Sequence, residues 1–176
     1  MNEYYITTNE LKSLCTKLHF GDKVYLSGTV FTSRDAAHKR IFELIEKNEP
    51  LPYQIKNSVI YYAGPTPTPD GMAIGSCGPT TSSRMDCFAP TLYDMGLAAT
   101  IGKGERSQEV IDSIIRNKAV YLCAIGGAGA LAAKSIVSSR VIAFNDFGCE
   151  SVKELIFKDF PLIVGIDCHG GNIFNR

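Results

Sequence analysis

Four apolar runs, "SVIYYAG", "LAATIG", "AVYLCAIGG" and "FPLIVGID", are too short for buried helices and are each bounded by glycine, proline or polar residues. Runs of this length predict buried strands. The first stops at "PTPTPDG", where three prolines remove the donors a continuing ladder needs.

Helical spacing appears between such runs. In "TNELKSLCTKL", Leu11, Leu14, Cys15 and Leu18 lie one turn apart, and the following "GDKVYLSGTV" places Val24 and Leu26 on one face of a strand. In "FTSRDAAHKRIFELIEKN", Thr32 and Asp35 have the spacing of a capping box, and Ala37, Ile41, Leu44 and Ile45 form an apolar stripe, predicting a helix from near Ser33. "APTLYDMG" predicts a short helix, "SQEVIDSIIRN" a helix with acids in its first turn, "GALAAKSIV" a helix and "RVIAFND" a strand. The order is α/β with repeated strand–loop–helix units. No repeat or low-complexity linker divides the chain, so residues 1–176 are read as a single domain.

With 176 residues, 45% of them hydrophobic, the chain can bury a full core. Lysine plus arginine and aspartate plus glutamate both number 18, so no broad basic face for nucleic acid is implied and any electrostatic function must be local. No apolar run approaches the roughly 20 residues of a membrane span, and "MNEYYITTNELKS" lacks a signal-peptide layout, so a soluble, cytoplasmic protein is expected. Six cysteines are scattered without a C-x-x-C, which argues against a zinc ribbon or an iron–sulfur cluster held within this chain; most are read as small buried hydrophobes.

Four loops carry chemistry-bearing residues. "SGTVFTSRD" sets Arg34 in a first helical turn, where a cation opposes the dipole unless an anion lies between them; a solvated surface arginine is the plain alternative. "YYAGPTPTPDG" is at least a rigid turn. "IGSCGPTTSSRMD" combines two glycines, the four hydroxyls of Thr80 to Ser83 and the planar fork of Arg84. One helix cap needs one hydroxyl, so that excess points to an anion site. "TIGKGER" holds Lys103 between two glycines directly after an apolar strand. A competing motif lies in "YLCAIGGAGALAAKSI", whose Gly127-x-Gly129-x-x-Ala132 approximates a dinucleotide fingerprint.

Taken in order, "SGTVFTSRDAAHKR", "YYAGPTP", "GSCGPTTSSRMD", "IGKG", "AIGGAGALAAKSI" and "DFPLIVGIDCHGGNIF" resemble the beta subunit, or C-terminal domain, of class I iron–sulfur fumarases and the related L-tartrate dehydratases. The resemblance runs from about Asp22 to Phe174. It implies a swivelling β/β/α domain, here a separate chain, that closes over a [4Fe–4S] cluster held by a partner alpha subunit. It further implies a dimer of heterodimers and a hydro-lyase interconverting fumarate and L-malate, with tartrate or methylfumarate as alternative substrates. Carried over by position, Arg34, Arg84 and Lys103 would bind the dicarboxylate, Thr80 would be the base, no metal ligand would lie on this chain, and Cys77 would serve packing or shielding. The glycine stretch from Gly126 to Ala132 becomes structural under the same resemblance. A nucleotide-binding module built on Gly127 and Gly129 is the alternative from a different class.

Overall fold

The computed structural model describes residues 1–175. The apolar runs do form strands, and their neighbours fill in the rest. In chain order the elements are β1 (Glu3–Thr7), α1 (Thr8–Leu14), β2 (Lys23–Thr32), α2 (Asp35–Glu46), β3 (Val59–Tyr61) and α3 (Ala89–Asp94). They continue with β4 (Ala99–Gly102), α4 (Gln108–Arg116), β5 (Val120–Cys123), α5 (Gly129–Ala133), β6 (Ile136–Ala143) and β7 (Val152–Ile166).

The strands lie in the order β1-β2-β3-β4-β5-β7-β6, with a further pairing of β2 to β7. Strands β1 to β5 are mutually parallel, whereas β7 runs antiparallel to β5, β6 and β2. The β2–β7 pairing therefore closes β2, β3, β4, β5 and β7 into a ring. Gly28 marks the one irregularity in the β2–β7 register: its φ of 115° is left-handed, and a Cβ there would strike the Thr8 hydroxyl.

Side chains alternate across the ring as period-two geometry requires. Val24, Leu26, Val59, Tyr61, Ile101, Leu122, Phe157 and Val164 belong to one buried cluster, drawn from all five ring strands, which fills the interior. Phe157 stacks on Phe160 at 4.2 Å, and Tyr61 meets both rings edge-on. The intervening residues Ile60, Tyr62 and Tyr121 face outward, into a second cluster with Ile41 of α2, Leu92 of α3 and Ile114 of α4.

Several boundaries differ from the sequence reading. Helix α2 begins at Asp35 with no side-chain cap, so Thr32 and Asp35 do not form a capping box. Thr32 instead ends β2, its hydroxyl donating to Ser151 O and accepting from Lys153 N, because closure against β7 takes it first. The helix expected over "GALAAKSIV" stops at Ala133, since Ile136 onward pairs with β7. Strand β7 starts at Val152, well before "FPLIVGID". Strand β1, unanticipated, buries only Ile6 fully. Among the described residues no helix is long and apolar enough to cross a membrane.

Because Phe157 lies between Tyr61 and Phe160 inside the ring, Phe157→Ala is expected to lower unfolding free energy by about 3–5 kcal/mol, measured by urea denaturation.

Candidate active site

Parallel strands place their C-terminal ends on one edge, and the register fixes which residues stand level there. Thr32, Tyr61, Ile101 and Leu122 are successive ladder partners, so Arg34, Ala63, Lys103 and Ala124, two residues further along each strand, leave the sheet at the same level. Open ends of this kind are where α/β sheets collect ligands.

The hydroxyl-rich loop is stitched into that edge. Pro79 bridges to Ala63 beyond β3, and Thr81 bridges to Lys103 beyond β4. Thr80 N donates to Tyr62 O at 2.6 Å and Ser82 N to Lys103 O at 2.9 Å. Thr80 is thereby held between the ends of two central strands, half-buried, and among the described residues its hydroxyl makes no hydrogen bond. Of the other hydroxyls, Ser82 is fully buried, bonds Tyr121 Oη at 2.9 Å and fills the space that a side chain at Gly102 would occupy. Thr81 and Ser83 are exposed.

The three expected cations differ in their surroundings. Arg34 is the N-cap residue of α2; its buried Nε lacks a hydrogen bond, with Glu150 Oε1 3.9 Å away. Its guanidinium crosses Gly64, where a Cβ would lie 2.5 Å from Nη1. Lys103 lies along Gly126, its Cδ 3.3 Å from where a Cβ would stand, and among the described residues no acid pairs with it. Arg84 does not present an unpartnered charge: Nε and Nη2 donate to Asp35 at 3.2 and 2.8 Å. Asp35, placed on α2 by its position at the start of a helix, reaches a loop 49 residues away.

Beneath the edge lies a charged pair that the sequence reading did not single out. Arg106, with a fully buried side chain, donates from Nε to Asp86 Oδ1 at 2.6 Å and from Nη1 to Thr100 Oγ1 at 3.0 Å, and it packs against the faces of Tyr62 and Tyr121. Asp86 also accepts from Ser107 N at 2.6 Å, tying the end of the hydroxyl loop to the start of α4. No local signal in "IGKGER" marks this arginine, since its partner lies 20 residues upstream. His38 was likewise unmarked. Its Nδ1 lies 2.8 Å from Arg34 O and 2.9 Å from Ser33 Oγ, fixing the turn that presents Arg34, and burial pushes its pKa down to about 4.

The glycine stretch packs against the hydroxyl loop. Cys77 N donates to Gly129 O at 3.1 Å, and a Cβ at Gly129 would meet Ser76 and Gly78. A phosphate at the start of α5, which has only five residues, would have to displace that loop. Cys77 is buried, with its thiol pushed up to about 12 by burial, and its carbonyl accepts from Tyr61 Oη at 2.6 Å. Cys15 and Cys168 are also buried, Cys123 is half-buried, and Cys87 and Cys149 are exposed, so burial describes half of the six. Among the described residues no three His, Cys, Asp or Glu side chains converge to hold a metal ion.

A ring-closed α/β domain with cationic and hydroxyl-bearing loops on one strand edge is the class that this geometry defines. The chain belongs to the family described as fumarase C-terminus, whose model matches residues 2–176. It is 40% identical over 158 residues to fumarate hydratase 2 of Leishmania major, covering 89% of this chain and 28% of that protein. It is 38% identical over 156 residues to the aerobic class I fumarate hydratase of Escherichia coli (strain K12), again covering 28% of the relative. A third relative, the L(+)-tartrate dehydratase subunit beta of the same strain, is 34% identical over 161 residues, covering 89% of this chain and 79% of that subunit. The chain thus spans little more than a quarter of the two fumarate hydratases.

Two outcomes follow from the buried groups. Asp86→Ala strands the Arg106 guanidinium in the core and should cost about 3–5 kcal/mol in chemical denaturation. His38 keeps a folded pKa near 4 against an ordinary 6.5, so as pH falls through that window the unfolded chain takes up a proton that the folded one refuses. Between pH 7 and 4, wild type should therefore lose roughly 3 kcal/mol relative to His38→Gln, measured by denaturation at each pH.

Proposed function

We propose that this chain is the beta subunit of a hydro-lyase that reversibly hydrates fumarate to L-malate. Arg34, Arg84 and Lys103 bind the two carboxylates and Thr80 serves as the base. The observation that carries the reading is the edge itself, where Arg34, Lys103 and the segment bearing Thr80 and Arg84 arrive from three different loops. A C4 dicarboxylate brings two negative charges, and guanidinium forks match carboxylates through paired, charge-assisted hydrogen bonds.

In the dehydration direction the Thr80 oxygen takes the proton from the carbon next to the hydroxyl-bearing one, the C–H electron pair becomes the new double bond, and the hydroxyl departs from the neighbouring carbon as hydroxide. An ordinary hydroxyl is a weak base; cations beside it and exclusion of water on closure favour its alkoxide. Backbone anchoring of Thr80 through Tyr62 O and its flanking bridges limits how far that oxygen can stray.

The resemblance to class I fumarases also implies a [4Fe–4S] cluster. The residues described here do not fit that group: three of the cysteines are buried, and no three potential ligands converge. By the same resemblance the cluster is proposed to lie on a partner alpha subunit, over which this chain, as a swivelling β/β/α domain spanning 1–176, closes in a cytoplasmic dimer of heterodimers. The relative named as a tartrate dehydratase subunit beta supports such a two-chain arrangement and favours L-tartrate as the second substrate reading.

The test is steady-state kinetics of the complex reconstituted anaerobically with its alpha subunit, on fumarate, malate and L-tartrate. Thr80→Val removes the hydroxyl while keeping the shape, and kcat should fall about 10²–10⁴-fold with little change in KM. Retention of near-normal kcat would remove Thr80 from the base role.

A further inference from the structure

Asp35 stands between the two arginines proposed to bind carboxylates. It follows Arg34 in the chain, opens α2, and accepts two hydrogen bonds from Arg84, at 3.2 Å from Nε and 2.8 Å from Nη2. An acid in contact with a substrate-binding cation can act in two opposite ways. It can compete with the substrate carboxylate, or it can orient the guanidinium toward it.

The geometry distinguishes them. A guanidinium carries five N–H donors in one plane. Contact through Nε and Nη2 uses its side edge, which leaves both hydrogens of Nη1 and one of Nη2 for a second carboxylate approaching end-on. Asp35 therefore occupies one edge of the fork and leaves another complete. The side chains of Arg84 and Asp35 are 52% and 29% exposed, and a pair so placed contributes little to stability.

Asp35 itself is well held. The turn before it is fixed by His38, which is buried against Arg34 O and Ser33 Oγ, and Glu150 Oε1 accepts from Ala36 N at 3.5 Å. Arg84, by contrast, sits on a short 3₁₀ turn at Ser82–Met85 with an exposed side chain. The ion pair thus ties a mobile type of side chain to the same helix start that presents Arg34.

We infer that Asp35 is a positioning residue: by gripping Arg84 along its side edge, it aims the free end of the guanidinium at one substrate carboxylate, at a set distance from Arg34, which binds the other. The inference rests on the dicarboxylate reading above. Fixing the span between two cations is what discriminates a dicarboxylate from a single acid, and it lowers the ordering cost of binding.

The test compares Asp35→Asn, Arg84→Lys and the double variant in the reconstituted two-subunit enzyme. Asparagine keeps the size but turns an NH₂ group toward the donors of Arg84. The KM for the dicarboxylate should rise about tenfold, by more than kcat falls, as expected for loss of a charge-assisted contact in binding. In the Arg84→Lys background the same change should add little, because the two residues act as one unit. An unchanged or lowered KM in Asp35→Asn overturns the inference, and a lowered KM identifies a competitor. If Arg84→Lys leaves KM unmoved, the dicarboxylate reading itself falls; if Arg84→Lys raises KM while Asp35→Asn is silent, only the role of Asp35 is lost. A readout independent of activity is the Nε–H resonance of Arg84 in the ¹⁵N spectrum of the isolated chain, assigned by its loss in Arg84→Lys. It should stand apart from the exposed arginines in wild type and join them in Asp35→Asn; coincidence with them in wild type overturns the pairing.

Discussion

The antiparallel pairing of β2 with β7 is the contact on which everything else in this molecule depends. Strands β3, β4 and β5 have three or four residues each, too few to make a lasting sheet alone. They are held because β7 bonds to β5 at one end and to β2 along most of its length, giving the central strands a neighbour on both sides. Closure also creates an interior, so that Tyr61 and Phe157 are covered from every direction.

The edge above that ring shows a division between buried and exposed charge. Arg106 is buried and Asp86 nearly so, with further donors and acceptors in Thr100 and Ser107 completing the network. A buried pair of this sort stabilises only because it is satisfied on all sides; its clear effect is to join the hydroxyl loop, β4 and α4 in one arrangement. Arg84 and Asp35 form the contrasting pair, at the surface and partly exposed to solvent. One pair belongs to the framework beneath the edge, the other to its surface.

Much of the fold was legible because burial imposes short apolar runs on parallel strands and an apolar stripe on α2 and α4. Thr80, Arg84 and Lys103 could be singled out because four hydroxyls followed by an arginine exceed what one helix cap needs, and because a lysine stands between two glycines directly after an apolar strand. What stayed hidden depends on pairing between distant segments. The capping-box spacing of Thr32 and Asp35 was a local coincidence overridden by contacts with Ser151, Lys153 and Arg84. Strand β1 carries too little burial to show a period, and β6 replaced an expected helical end because β7 offered it a ladder. Arg106 and Asp86, 20 residues apart in separate loops, leave no periodic trace at all.

Ring closure also sets the order in which this chain can acquire its candidate-site edge. Arg34, Thr80, Arg84 and Lys103 all precede β7 in the sequence, yet their level alignment requires the pairings that β7 completes. A ribosome will have made every one of these side chains well before the strand that brings them into line. Long-range closure of this kind is slow relative to local helix formation. The edge is therefore a late product of folding, and a chain ending before Val152 would possess the whole set of candidate site residues without the frame that aligns them.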